Sequence, residues 1–163
     1  MNPSDATLFD AVKACRLAEG FSAQDTAVLA GLMTLQVCEP LQLLAREGEA
    51  DHRLYAVVQG SLNIVKHAGT PDETLLVTLN PGDLAHELGF LDDAPRHASL
   101  QVASAARVLV LEREQLESLI DTHPRVLYRV MCAVARNVHR VQTRMAVQAT
   151  ELTNYIVKQH GRY

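Results

Sequence analysis

Residues Asn80 to Ser99 read N-P-G-D-L-A-H-E-L-G-F-L-D-D-A-P-R-H-A-S, and this stretch decides how the rest of the chain is understood. It holds two turn signals, a lone acid at Glu87, a short apolar run and a Pro95-Arg96 pair. Glu87 and Arg96 stand nine residues apart, with glycine and proline shaping the backbone between them. An ionised glutamate accepts hydrogen bonds from hydroxyls, and an arginine fork matches the oxygens of a phosphate. Backbone N–H groups at the start of the Glu87–Leu91 turn would add an anion cradle. The pair therefore suits a small polar ligand with hydroxyls and one phosphate. A plain alternative is a surface glutamate and an exposed arginine, worth little to stability.

Outward from this stretch, the flanking sequence is strand-like. Apolar runs of mostly five to seven residues occur at Met33–Cys38, Leu41–Ala45, Leu54–Val58, Leu62–His67, Thr74–Leu79, Ala98–Ala103 and Arg107–Leu111. Between them lie Glu39-Pro40, residues 47–51, Gln59-Gly60-Ser61, residues 69–72 and Asn80-Pro81-Gly82-Asp83. Seven or eight short strands at this spacing predict an antiparallel sandwich or barrel-like roll. Residues 84–96 break the rhythm and are expected as a loop and short helix on that body.

The ends of the chain are helical. Leu8, Val12 and Cys15 place an apolar stripe on a helix over residues 6–18, with Leu17 off the stripe and Gly20 as its stop. Ser22 reads as the N-cap of a second short helix through Ala30, with Asp25 in its first turn. Residues 112–120 form another short helix. Pro124 suits the first position of a last, long one, because no proline or glycine follows before Gly161. Along it Leu127, Val130, Val134, Val138, Val141, Met145, Gln148 and Leu152 recur at threes and fours, close to a heptad seam. Such a seam either lies across its own domain or pairs with a second copy. A homodimer is the expectation taken, since the helix exceeds what a small roll covers.

Composition narrows the function classes. A net charge of −4 argues against a protein that coats nucleic acid. The stripe Arg125, Arg129, Arg136, Arg140 and Arg144 then reads as a solvated helix face. Cys15, Cys38 and Cys132 are odd in number and lie within apolar periodicity, which fits reduced core thiols in the cytoplasm. No signal peptide and no membrane span is expected. Seven histidines include no H-x-H or H-x-x-x-H pair, so no metal site is predicted. Neither a G-x-S-x-G elbow nor a glycine-rich phosphate loop occurs.

The motifs, in order, resemble the cyclic nucleotide-binding domains of the catabolite activator protein type. The resemblance runs from about Phe21 to Met145. It rests on residues 46–51 (R-E-G-E-A-D) leading to Leu54-Tyr55-Ala56-Val57, on Gln59-Gly60-Ser61, on Pro81-Gly82-Asp83, and on Glu87-Leu88-Gly89-Phe90-Leu91 through Pro95-Arg96-His97-Ala98-Ser99. It implies a mainly β fold with flanking helices: an antiparallel β-roll (a double-stranded β-helix, jelly-roll-like), short N-terminal helices and a long C-terminal dimerisation helix. Residues 1–123 would form the helices and roll, and 124–163 the dimer helix and tail. By resemblance Glu87 binds a ribose 2′-hydroxyl and Arg96 the cyclic phosphate, with Leu88, Gly89, His97 and Ala98 around them.

Departures from the family pattern are specific. His86 stands where glycine usually precedes the cassette glutamate, and Leu41 replaces a frequent turn glycine. His97 takes a place commonly held by serine or alanine. The region that reaches the base in the bacterial regulators corresponds to Val141 and Gln142, with Thr143 adjacent, so the base is left open. No helix-turn-helix domain follows the long helix; either a sensor lacking its own output domain or part of something longer is implied. The expectation is a cytoplasmic, dimeric, non-enzymatic regulator. Its ligand would be cyclic AMP or cyclic GMP, with no resident cofactor or metal. Its homodimer would form through residues 124–157, its output would pass through a protein partner, and it would bind neither nucleic acid nor membrane. The competing readings are a dimerising β-roll that has lost nucleotide binding, a transcription regulator acting through a partner or through its arginine stripe, and a metal enzyme of the related barrel type.

Overall fold

The computed structural model describes residues 3–160, with side chains described for residues 7–143, 146, 147 and 150. Helix α1 (Pro3–Ala14) is followed by a tight 3-10 turn (Arg16–Ala18) and α2 (Ala23–Ala30). The single helix expected over residues 6–18 is thus interrupted. Cys15 takes an extended conformation (φ −74°, ψ 144°) that turns the chain, and Leu17, off the helical stripe, is fully buried as a result. Ser22 caps α2 by accepting from the Asp25 N–H at 3.1 Å.

The sheet contains β1 (Met33–Cys38), β2 (Leu43–Ala45), β3 (Arg53–Lys66), β4 (Thr74–Leu79), β5 (Leu84–Ala85) and β6 (Ser99–Glu112). Two strands of 14 residues each, β3 and β6, run antiparallel through its centre. The first half of β3 has β5 on its other side and the second half has β4. Along β6, β2 flanks the beginning and β1 the end. The expected pairs Leu54–Val58 with Leu62–His67, and Ala98–Ala103 with Arg107–Leu111, are therefore single bent strands rather than four separate ones. Gly60 is the physical reason. It sits at φ +77°, and a Cβ there would fall 2.3 Å from the Ala105 carbonyl oxygen. The ladder shifts register between Val57 and Leu62, so Gln59-Gly60-Ser61 is a bulge that folds the long pair into a roll, not a hairpin turn.

Period-2 alternation along these strands feeds two cores. Tyr55, Val57, Leu62, Leu100, Val102, Val108 and Val110 fill the inside of the roll. Leu54, Ala56, Leu109 and Leu111 face outward onto Val12, Leu17, Leu29 and the long helix. After α4 (Arg113–Glu117) and α5 (Leu119–Thr122), α6 spans Pro124–His160. Its seam divides in use. Val126, Val130, Ala133 and Val134 are buried against their own domain. Val141 and Val147 remain 42% and 52% exposed. Met145, Gln148 and Leu152 lie outside the described side chains.

Candidate functional site

The turn at Asn80–Asp83 delivers the chain to the site. Asp83 Oδ2 accepts from the Asn80 N–H, its other oxygen meets Arg16 Nη1 at 3.1 Å, and Gly82 and Asp83 pair with Val57. Two residues of β5 then lie against Tyr55 and Ala56. At His86 the backbone swings to φ +72°, and its carbonyl accepts the Phe90 N–H to open α3 (Gly89–Asp92). Phe90, fully buried, fastens this short helix to the outer core. Asp93, at φ +58°, ends it and is held by Arg113, with His52 Nδ1 3.3 Å away.

Arg96 is reached next and is buried, with 4% of its side chain exposed. Its backbone pairs with Gly48 and Glu49. Its guanidinium lies 5.3 Å from the centre of the Tyr55 ring and donates from Nη2 to Asp51 Oδ2 at 2.8 Å. Its Nε–H is buried without a partner. Nε and Nη2 form one edge of the guanidinium fork, so Asp51 satisfies half of it and leaves the other half for an acceptor. Asp51 is itself fixed. Its Oδ1 accepts from the Arg53 backbone N–H (3.0 Å) and Arg53 Nε (2.9 Å), and the Tyr55 hydroxyl lies 3.2 Å from Oδ2 and 3.3 Å from the Leu44 carbonyl. Burial alone would raise the Asp51 carboxyl, but the Arg53 hydrogen bond and the Arg96 charge outweigh it and hold it below its ordinary value. The Tyr55 phenol is pushed up to about 12, first by burial and then by Asp51.

Glu87 points elsewhere. Its carboxylate accepts from Asn137 Nδ2 on α6, and Asn137 is only 3% exposed. Burial raises the Glu87 carboxyl above its ordinary value, because a neutral amide and the backbone only partly offset the lost water. His86 is half-buried. Its Nδ1 lies 3.2 Å from the Arg53 carbonyl and so carries the proton, which leaves Nε2 a buried acceptor without a donor. Burial, and then the nearby Arg96 charge, lower the imidazole below its ordinary value. The ring lies over Gly89, where a Cβ would fall 1.9 Å from Nε2.

A sequence model of the cyclic nucleotide-binding domain matches residues 35–123, just over half of the chain. The chain belongs to the cyclic nucleotide-binding domain family. This cyclic nucleotide-binding domain is 29% identical over 114 residues to a CRP-like cAMP-activated global transcriptional regulator of Mycobacterium tuberculosis, a match covering 69% of this chain and 51% of that protein. It is 30% identical over 92 residues to a cAMP-dependent protein kinase regulatory subunit of Yarrowia lipolytica, covering 56% of this chain and 24% of that protein. The chain thus spans about half, or less, of the length of these relatives. In fold it is similar to a solved cyclic nucleotide-binding domain from Methylobacillus flagellatus, with a TM-score of 0.78, 18% identity, and coverage of 90% of this chain and 83% of that one.

Within the domain, the site residues named from sequence separate into groups. Arg96, His86 and Gly89 line one buried cluster, and Glu87 is turned to α6. Leu88 is 58% exposed, His97 is exposed, and Ala98 is half-buried just before β6. Gln142 and Thr143 are exposed on α6 beyond Asn137, and the Thr143 hydroxyl donates to its own helix at the His139 carbonyl. Both positions where glycine is the family habit, Leu41 and His86, keep left-handed backbone, at φ +68° and +72°. Each carries a strain of about 1 kcal/mol that glycine avoids.

Four residues were not among the site residues named from sequence: Asp51, Arg53, Tyr55 and Asn137. Asp51 sits in a run that reads as a polar turn, yet Asp51, Arg53 and Tyr55 alternate and so share one face of the chain entering β3. That spacing is the signal that finds them. Asn137 lies one turn beyond Ala133 and Val134 as a polar interruption of an otherwise apolar face. Among the described residues no group of three or more His, Cys, Asp or Glu is placed to hold a metal ion, and no helix is long and apolar enough to cross a membrane.

Proposed function

We propose that this chain is a regulatory sensor of a cyclic mononucleotide, cyclic AMP or cyclic GMP, and has no catalytic activity of its own. The observation that carries the reading is Arg96: buried, stacked beside Tyr55, and holding half of its fork open to an anion. A cyclic phosphate fills that half, and Glu87 accepts from a ribose hydroxyl. The named relatives support the class, since one is described as cAMP-activated and the other as a regulatory subunit of a cAMP-dependent kinase. Residues 1–123 sense, and residues 124–163, with the long helix, transmit, through Asn137, to a homodimer interface and a protein partner in the cytoplasm. Direct contact with nucleic acid plays no part in this reading.

The test is calorimetric titration with both cyclic nucleotides. Wild type is expected to bind one or both. Arg96→Ala removes a charge-assisted hydrogen bond worth about 1.5–3 kcal/mol, a loss of about tenfold to a hundredfold. Glu87→Ala weakens binding by a smaller factor. No heat and no thermal shift with either ligand sinks the proposal. His86, its ring packed over Gly89, favours a second reading, an interaction module that no longer takes nucleotide. Wild type that is silent while His86→Gly binds would select it.

A further inference from the structure

The Arg96 fork does not stand alone, because a second buried ion faces it from the same side. Asp51 is 8% exposed, and its two oxygens meet four donors: the Arg53 N–H and Nε, the Tyr55 hydroxyl, and Arg96 Nη2. A carboxylate held this way stays in place when a ligand arrives on Nε. Resting on the reading of Arg96 as an anion seat, we propose that Asp51 is a specificity-determining residue. It admits a singly charged phosphodiester and rejects a doubly charged phosphomonoester.

The argument is a charge count within the cluster. Arg96 and Arg53 supply two positive charges and Asp51 one negative, which leaves one positive charge. The Tyr55 phenol, pushed up to about 12, adds no charge near pH 7, and burial with the nearby Arg96 charge lowers the His86 imidazole and so favours its neutral form. A cyclic phosphate is a diester with one negative charge and balances the cluster. Hydrolysis of the ring adds water across one P–O bond and yields a monoester carrying about −1.5 to −2 at that pH. The added charge is not matched by a cation within this cluster and lies on the side of the buried Asp51 carboxylate, where like charges repel. The site so built separates a cyclic signal from its own hydrolysis product.

The experiment titrates the full chain, as wild type, Asp51→Asn and Arg53→Gln, with cyclic AMP and 5′-AMP, and again with cyclic GMP and 5′-GMP. What is read is the ratio of the two affinities for each base, so that shape differences between the ligands cancel across variants. Asp51→Asn is expected to lower the cyclic-to-linear preference by about tenfold. Arg53→Gln removes a cation from a half-exposed side chain and raises the preference. Melting curves check folding, and if Asp51→Asn unfolds, the Arg53→Gln ratio decides alone. Ratios unchanged in the folded variants, or moving in the same direction, overturn the inference while leaving cyclic nucleotide binding intact. A wild type that binds none of the four ligands overturns the sensor reading and this one with it.

Discussion

The His86 ring leaves no space for a Cβ at Gly89, so Gly89→Ala should take opposite signs with and without that ring. Gly89 begins α3 in a helical conformation, so alanine there should gain about 0.5–1 kcal/mol of helix preference. In the native background it cannot do so. Its Cβ would lie 1.9, 2.6 and 2.7 Å from Nε2, Cε1 and Cδ2 of His86, the three atoms nearest to it. The backbone has no room to retreat, because Phe90 is fully buried and the His86 and Leu88 carbonyls hold the turn. The ring must swing out, losing the Nδ1 hydrogen bond to Arg53, worth about 0.5–1.5 kcal/mol, and repacking its surroundings. Gly89→Ala alone should therefore destabilise the fold by about 1–3 kcal/mol, which lowers Tm by roughly 3–8 °C in a chain of this size. With His86→Gly the obstacle is gone and the φ of +72° suits glycine, so the same Gly89→Ala change should raise Tm by about 1–3 °C. Calorimetric melts of the four proteins close the cycle, with an expected coupling of about 2–3 kcal/mol. Equal Tm losses in both backgrounds, or no loss in the wild type, would refute the placement of the ring.

Two further changes probe the remaining parts of the site. Burial raises the Glu87 carboxyl, so the folded chain keeps that proton to a higher pH than the unfolded chain does. Its stability is then whole below the ordinary carboxylate range and is lost as pH rises through the raised value. Glu87→Gln keeps an acceptor for Asn137 without the charge, so its Tm should exceed that of wild type near about pH 7 and meet it near about pH 4, while nucleotide binding weakens. An offset that is constant with pH argues against a strained, buried carboxylate. On α6, Val141→Glu with Val147→Glu alters two half-exposed side chains and should leave Tm nearly unchanged. Light scattering should show the mass falling from dimer to monomer, and a wild type already monomeric at the same concentration removes the dimer from the proposal.

Sequence pattern disclosed the fold because short apolar runs are separated by turn residues and the helices carry stripes. It misjudged two places for definable reasons. Gly60 looks like a turn, but whether such a glycine reverses the chain or bends it depends on what stands opposite, here the Ala105 carbonyl, 45 positions along the chain and outside any local window. The short strand β5 has only Leu84 and Ala85, too few to show any period, and exists because Tyr55 and Ala56 offer it a ladder. Arg96 and Glu87 were legible as charge in an apolar context. Their partners were not, since Asp51 is 45 residues and Asn137 50 residues away in sequence.

Those partners matter because they belong to different elements. Arg96 is locked to Asp51, Arg53 and Tyr55 where the chain enters β3, whereas Glu87 is locked to Asn137 on α6. A ligand whose phosphate and ribose are joined in one rigid ring would engage both at once. Every such contact ties the position of the roll to the position of the helix. The ligand then favours whichever placement of α6 lets Glu87 and Arg96 reach it together, and its leverage equals its difference in affinity for the two placements. Asn137 is a neutral amide, so it holds Glu87 by one hydrogen bond rather than by an ion pair. On the proposed reading a ribose hydroxyl would compete with that bond, and the Glu87–Asn137 contact would be the joint at which binding in the cassette is passed to the helix.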